Sequence, residues 1–259
     1  TVVLADGRIV RTGSRARKSS TGYDLTHLFV GSEGTLGVIT EVAVRLHGVP
    51  PATSAAVCAF PSLEAAVDTV IQTIQCAIPV ARIELLDEVQ VRGVNKYSKM
   101  SHPEAPTLFF EFHGTEAGVA EQAQMVGELA RDNGGSDFRW STRPEERKRL
   151  WQARHDAYYG GLPVGAGARG YVTDVCVPIS GLAECVSATK DDIERSGLIA
   201  PIVGHVGDGN FHTLVLMDMN DPAEIARCEE FVARLNLRAI GMDGTCTGEH
   251  GIGQGKMGF

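Results

Sequence analysis

From Ala55 to Ile240 the hydrophobic pattern switches repeatedly between the two-residue period of a strand and the 3.6-residue period of a helix. That alternation excludes an all-helical bundle and an all-β sandwich. The spacing predicts strands over Ala55–Phe60, Val80–Leu86, Thr107–Phe112, Phe138–Ser141, Tyr171–Val177, Ile199–His205 and Phe211–Met217. It predicts helices over Leu63–Ile74, Glu88–Tyr97, Ala117–Arg131, Glu145–Tyr158, Leu182–Arg195 and Pro222–Ile240. The last helix has a strong start: Asp221 can cap it, Pro222 suits the first turn, and Glu224 can complete a capping box. Short strands joined by single helices fit a parallel doubly wound sheet, or split βαβ units with helices on one face of a largely antiparallel sheet. The Rossmann glycine fingerprint, set between a strand and the helix it opens, is absent, which weakens the first choice.

Before this region the chain reads differently. Asp6-Gly7 between Val2–Leu4 and Ile9–Val10 is a hairpin signal, and Val38–Leu46 is β-rich, with Val42, Val44 and Leu46 alternating. Pro50-Pro51 ends this pattern and marks the domain boundary. The 259 residues carry a net charge of −8, which argues against a nucleic-acid-binding face, and no apolar run is long enough for a membrane helix. One local run is basic (Arg8, Arg11, Arg15, Arg17, Lys18); it reads as a solvated loop or a contact to an anionic cofactor. The six cysteines form no C-x-x-C pair and sit mostly in apolar stretches, as reduced residues of an intracellular protein do. The chain starts within a strand pattern at Thr1 and stops inside a glycine-rich motif at Phe259, so the expectation is an internal piece of a longer protein.

Glycine is the compositional excess, with 30 residues in the chain against roughly 7% in an average protein. The glycines cluster around groups that can carry chemistry. In Gly31-Ser32-Glu33-Gly34-Thr35-Leu36-Gly37 the backbone can approach a planar or anionic ligand, though a tight structural turn reads the same way. In Gly204–His212 two histidines, His205 and His212, flank a turn with Gly207 and Gly209 and could converge on one metal ion. A lone pair of histidines would more often be satisfied turn residues. Glu249 in Thr247-Gly248-Glu249-His250-Gly251 offers a third, anionic ligand, and His250 beside it a base of near-neutral titration. Both can serve one site only if the backbone turns between them. Arg154 is either a surface arginine or a fork for a substrate carboxylate, and Arg169, in a glycine-rich approach to a strand, is a second candidate. Asp174 lies within an apolar strand and needs a partner if buried.

These motifs, with Gly22-Tyr23-Asp24-Leu25, Gly31–Thr40, Arg82–Asp87 and Leu150–Arg154 in this order, resemble the FAD-linked 2-hydroxy-acid dehydrogenases and oxidases of the vanillyl-alcohol-oxidase type. Tyr171–Pro178 looks most like the cytochrome-linked D-lactate dehydrogenase branch. The resemblance covers nearly the whole chain. It implies an α+β fold, in which residues 1–50 are the C-terminal part of an FAD-binding (PCMH-type) domain. Residues 51–259 would be the cap domain, truncated at its end, with a mainly antiparallel sheet and helices on one side. It implies that Gly31, Ser32, Gly34, Thr35, Gly37 and Ile39 contact FAD, and that His205, His212 and Glu249 bind a divalent metal, Zn²⁺ or Mn²⁺. Arg154, Arg169 and Asn210 would bind substrate, and His250 would take the hydroxyl proton.

The implied reaction is oxidation of a D-2-hydroxy acid, D-lactate to pyruvate, by hydride transfer to flavin. The acceptor would be cytochrome c, a quinone or an electron-transfer flavoprotein, in the cytoplasm of a bacterium or the mitochondrion of a eukaryote. The family's pyrophosphate-binding loop precedes Thr1, so these residues alone are expected to bind FAD poorly and to be inactive. Two other readings stand beside this one: a metal-dependent hydrolase using the His/His/Glu site without flavin, and a non-catalytic remnant that binds a partner.

Overall fold

The computed structural model of the chain describes residues 1–162 and 168–259. Its contacts divide into two units, Thr1–Val49 with Gly251–Gly258, and Pro50–His250 with Phe259.

In the first unit β1 (Val2–Val3) pairs antiparallel with both β2 (Ile9–Val10) and β3 (Val38–Ile39). The expected hairpin forms around Gly7, whose φ is 83°. A short helix that the pattern did not announce, α1 (Leu25–Phe29), is capped by Asp24, which accepts from the His27 backbone N–H at 3.2 Å. The β-rich stretch expected to Leu46 ends as a strand at Ile39. Beyond it Val42, Val44 and Leu46 are 71%, 72% and 87% exposed. Alternation makes a strand only where a neighbouring strand takes up its backbone groups, and none of the described strands pairs with residues 41–49.

The second unit follows the predicted alternation closely. Its elements are β4 (Ala52–Ala59), α2 (Leu63–Gln75), β5 (Val80–Leu86), α3 (Glu88–Ser98), β6 (Thr107–Gly114), α4 (Glu116–Asp132), β7 (Ser136–Ser141), α5 (Pro144–His155) and α6 (Ala157–Gly161). They continue with β8 (Ala168–Val172), β9 (Val175–Cys176), α7 (Leu182–Ser196), β10 (Ile202–Gly204), β11 (Asn210–Asp218) and α8 (Pro222–Gly241). Among the described residues the strands form one antiparallel sheet in the order β7-β4-β6-β5-β10-β11-β8, with β9 also paired to β11. The doubly wound parallel choice is thereby excluded. Side-chain caps open the helices: Ser62 for α2, Asp87 for α3, Thr115 for α4 and Asp221 for α8. The capping box expected at Glu224 does not close, because the Asp221 N–H is already given to the Asp218 carbonyl at 3.1 Å.

Helices cover both faces of the sheet, where one covered face was expected. The larger core takes Ala56, Cys58, Leu85 and Phe110 from the strands and packs them under α2, α4, α7 and α8. The alternate positions Ala55, Val57, Leu86 and Phe109 point the other way and pack with Val91 and Val94 of α3, Trp151 of α5 and Ala157 of α6. The predicted helix over Glu145–Tyr158 is split in two at Asp156, whose carboxylate accepts from Ser98 and Gln152. The predicted strand Tyr171–Val177 is also split, at Thr173-Asp174. There Thr173 still donates its N–H to Thr213, while its carbonyl turns to a histidine. Among the described residues no helix is long and apolar enough to cross a membrane, and the six cysteines are free.

Candidate metal centre

The second sheet face carries polar groups where α3, α5 and α6 leave it open. Glu84 shares this face with Leu86 of β5, and His212 stands on β11. His205 follows β10 directly, and Arg154 comes from the last turn of α5. The chain after α8 is tied to β9 by a bridge between Thr245 and Cys176, which delivers Thr247–His250 to the same place.

Three imidazole nitrogens converge on one carboxylate oxygen. Glu249 Oε1 lies 3.3 Å from His205 Nε2, 3.4 Å from His212 Nε2 and 3.6 Å from His250 Nε2. The rings of His212 and His250 stack at 5.0 Å, and that of His205 meets His212 edge-on at 5.6 Å. The far side of each of the first two rings is anchored. His212 Nδ1 lies 2.8 Å from the Thr173 carbonyl, which can only accept, so Nδ1 carries the hydrogen, and in the neutral ring Nε2 presents a lone pair. His205 Nδ1 lies 2.8 Å from Glu84 Oε1 in the same sense. Burial lowers the pKa of His212, against the pull of Thr173 and Asp174. The hydrogen bond to Glu84 raises that of His205 and outweighs its burial.

This donor set fits a divalent cation. Acceptor nitrogens and a carboxylate oxygen this close repel one another until a positive charge neutralises them. Imidazole with carboxylate is the ligand set of Zn²⁺ and Mn²⁺, and ligating histidines characteristically donate their other N–H to a carboxylate or carbonyl. Asp174, His212, Glu249 and His250 also each offer a ligand atom within 4.8 Å of the others. Asp174, however, is fully buried and already engaged. Its Oδ2 accepts from the backbone N–H of Glu249 at 2.9 Å and His250 at 2.7 Å, and from Thr247 Oγ1 at 3.0 Å; its Oδ1 accepts from Asn210 Nδ2 at 2.9 Å. Burial by itself would raise the Asp174 carboxyl, but these four donors prevail and hold it far below the usual carboxylate range. Asp174 therefore anchors the ligand-bearing turn. The turn passes so close that a Cβ on Gly248 would lie 2.2 Å from Asn210 Nδ2, which only glycine avoids.

The structure thus brings together His205, His212, Glu249, His250 and, through Glu84, Arg154. The Arg154 Nε–H donates to Glu84 Oε2 at 2.9 Å, so the arginine is held in place and keeps its two terminal nitrogens. Asn210 serves the scaffold: its amide group donates to Asp174 and to the Val175 carbonyl, leaving Oδ1 without a partner among the described residues. Arg169 is not brought in. It lies opposite Met217, five positions along β11 from His212, a rise of roughly 17 Å at about 3.4 Å per residue. Its glycine-rich approach includes Gly165 and Gly167, which lie outside the described residues. A cleft of about 580 Å³ lies elsewhere, lined by Ser98–His102 and Arg139–Ser141 among others, and shares no residue with the cluster. Glu84 and Asp174 were not singled out as site residues by sequence, although they lie in the resembling stretches Arg82–Asp87 and Tyr171–Pro178; their local signals were a carboxylate within the strand pattern Ile83-Glu84-Leu85 and one within Val172–Val177.

In the first unit, Gly31 and Gly34 have φ near 80° and open space where a side chain would project, and Ile39 is exposed. The backbone there can accept a flat ligand. Gly37 has a packing role instead, because a Cβ would stand 2.8 Å from the Val3 carbonyl oxygen.

Residues 49–259 match the family described as FAD linked oxidases, C-terminal domain. The chain belongs to that family. It is 52% identical over 258 residues to a probable mitochondrial D-lactate dehydrogenase of Danio rerio, covering 98% of this chain and 52% of the relative. It is 47% identical over 256 residues to a mitochondrial D-lactate dehydrogenase [cytochrome] of Arabidopsis thaliana, covering 99% and 45%. The chain therefore spans about half the length of the curated relatives it matches. The fold is shared with 4-ethylphenol oxidase from Gulosibacter chungangensis at a TM-score of 0.69 and 17% identity, over 95% of this chain and 57% of that one.

Proposed function

We propose that the full-length protein oxidises D-lactate to pyruvate, using FAD and a divalent metal held by His205, His212 and Glu249. The observation that carries this reading is the convergence of three imidazole Nε2 atoms on Glu249 Oε1, with Arg154 fixed beside them through Glu84. The names of the two D-lactate dehydrogenases described above supply the substrate.

In this reading Arg154 binds the substrate carboxylate end-on through its two terminal nitrogens, since Nε is taken by Glu84. That grip sets the hydroxyl toward the histidine cluster and orients the α-hydrogen. His250 accepts the hydroxyl proton at Nε2; its ring is held by stacking on His212 and its backbone by Asp174. Bound Zn²⁺ or Mn²⁺ would polarise the substrate oxygens. FAD would supply the hydride acceptor, along Gly31, Ser32, Gly34, Thr35 and Ile39. Residues 1–50 are then the edge of the flavin domain and residues 51–259 the substrate domain. Electrons leave to a cytochrome, and the compartment is the mitochondrion, as the relatives' names suggest.

The test is a substrate panel on the purified full-length protein with a dye acceptor, read together with the flavin spectrum. D-lactate should reduce the dye faster than glycolate or 2-hydroxyglutarate, and the protein should be yellow. A colourless protein that hydrolyses an ester or amide in a metal-dependent way would sink the proposal.

A further inference from the structure

We infer that Glu84 is a positioning residue that holds the carboxylate-binding arginine and a metal-binding histidine in one frame. The inference rests on the roles proposed above for Arg154 and His205. Glu84 is 5% exposed, and each of its oxygens has one task. Oε2 accepts from Arg154 Nε at 2.9 Å, and Oε1 from His205 Nδ1 at 2.8 Å. The two partners come from different elements, 70 and 121 residues further along the chain. No other hydrogen bond or ion pair fixes either group among the described residues, apart from the contact of His205 with Glu249.

The polarity of these bonds makes the frame specific to a carboxylate. An arginine Nε–H can only donate. In a Glu84→Gln variant the amide oxygen must therefore face Arg154, and the amide NH₂ faces His205. His205 Nδ1 then has to accept, which moves its hydrogen to Nε2 and removes the lone pair aimed at the metal. Glu84→Gln should thus keep the arginine in place and disable the histidine, whereas Glu84→Ala should release both.

The experiment measures Mn²⁺ and Zn²⁺ affinity of the full-length protein by competition with a chelating dye, alongside steady-state kinetics with D-lactate at saturating metal. Glu84→Gln should weaken metal binding by about 10- to 100-fold, as loss of a histidine's outer partner does. Its KM for D-lactate should stay close to wild type. Glu84→Ala should weaken metal binding and also lower kcat/KM by up to about 100-fold through a displaced arginine. A purely structural role would lower the melting temperature of both variants without separating the two readouts. If both variants bind metal like wild type while His205→Ala does not, Glu84 has no positioning role and the metal reading stands. If the wild type binds neither ion and His205→Ala changes nothing, the metal reading fails and takes this inference with it.

Discussion

Replacing Asp174 with Asn tests how the site is assembled. The least costly orientation of the new amide keeps its oxygen toward the N–H groups of Glu249 and His250 and the Thr247 hydroxyl, at the place now held by Oδ2. Three charge-assisted hydrogen bonds become neutral ones, each weaker by about 1 kcal/mol, roughly 3 kcal/mol in all. The new NH₂ then faces the NH₂ of Asn210, where Oδ1 now accepts at 2.9 Å. One buried donor is left unsatisfied, at a further cost of about 1–3 kcal/mol. This energy falls on the turn Thr247–His250 and not on the strands, so it should appear as local opening. At about 1.4 kcal/mol per decade the loss corresponds to at least a 100-fold weaker metal affinity. Chelator competition with Mn²⁺ on the full-length variant measures it, and amide hydrogen exchange at Glu249 and His250 should accelerate. Wild-type metal affinity and unchanged exchange at these two amides would show that Asp174 does not hold the ligand-bearing turn.

Other outcomes follow from the same geometry. His250→Ala should abolish turnover of D-lactate while metal content, read by elemental analysis, stays at the wild-type level; persistent turnover would remove His250 as the base. Gly248→Ala should bring a methyl group into Asn210, cost about 1–3 kcal/mol of overpacking in the turn, and weaken metal binding as Asp174→Asn does. Asp192 is buried between Arg234 and Arg238, with contacts of 2.9 Å to each. Burial opposes its charge, but the two arginines prevail and depress its pKa. A depressed carboxylate gives stability that is present above its unfolded value near 3.8 and is lost as pH falls through the folded one. Asp192→Asn should therefore cost about 1–3 kcal/mol at pH 7, the range for lost hydrogen bonds to charged groups, since Arg234 remains partly exposed to solvent, and the difference in melting temperature from wild type should shrink as the pH is lowered below about 4.

The alternation of strands and helices was legible because it is local: each amphipathic element carries its own period. The ligand motifs were legible because His205, His212, Glu249 and His250 are paired in short glycine-bounded turns. Glu84 and Asp174 were not, because their roles exist only across folded distances; Glu84 meets His205 121 residues away, and Asp174 meets the His250 N–H 76 residues away. Val38–Leu46 misled for the opposite reason. Its alternation is real, but strand formation depends on a neighbour that local sequence does not reveal. The break of β8 from β9 was hidden because Thr173 and Asp174 sit in an apolar run; its signal was a carboxylate placed within that run.

Whether hydroxy-acid oxidation depends on a metal held by the histidine and glutamate cluster is read from metal analysis of the full-length protein together with the Glu249→Gln and His212→Ala variants, with D-lactate oxidation assayed on the same samples. The wild-type chain should hold one divalent ion, with ion and turnover lost together in both variants and after chelation, and turnover restored to the wild type by Mn²⁺ or Zn²⁺. Full turnover by a metal-free wild-type protein would contradict this dependence.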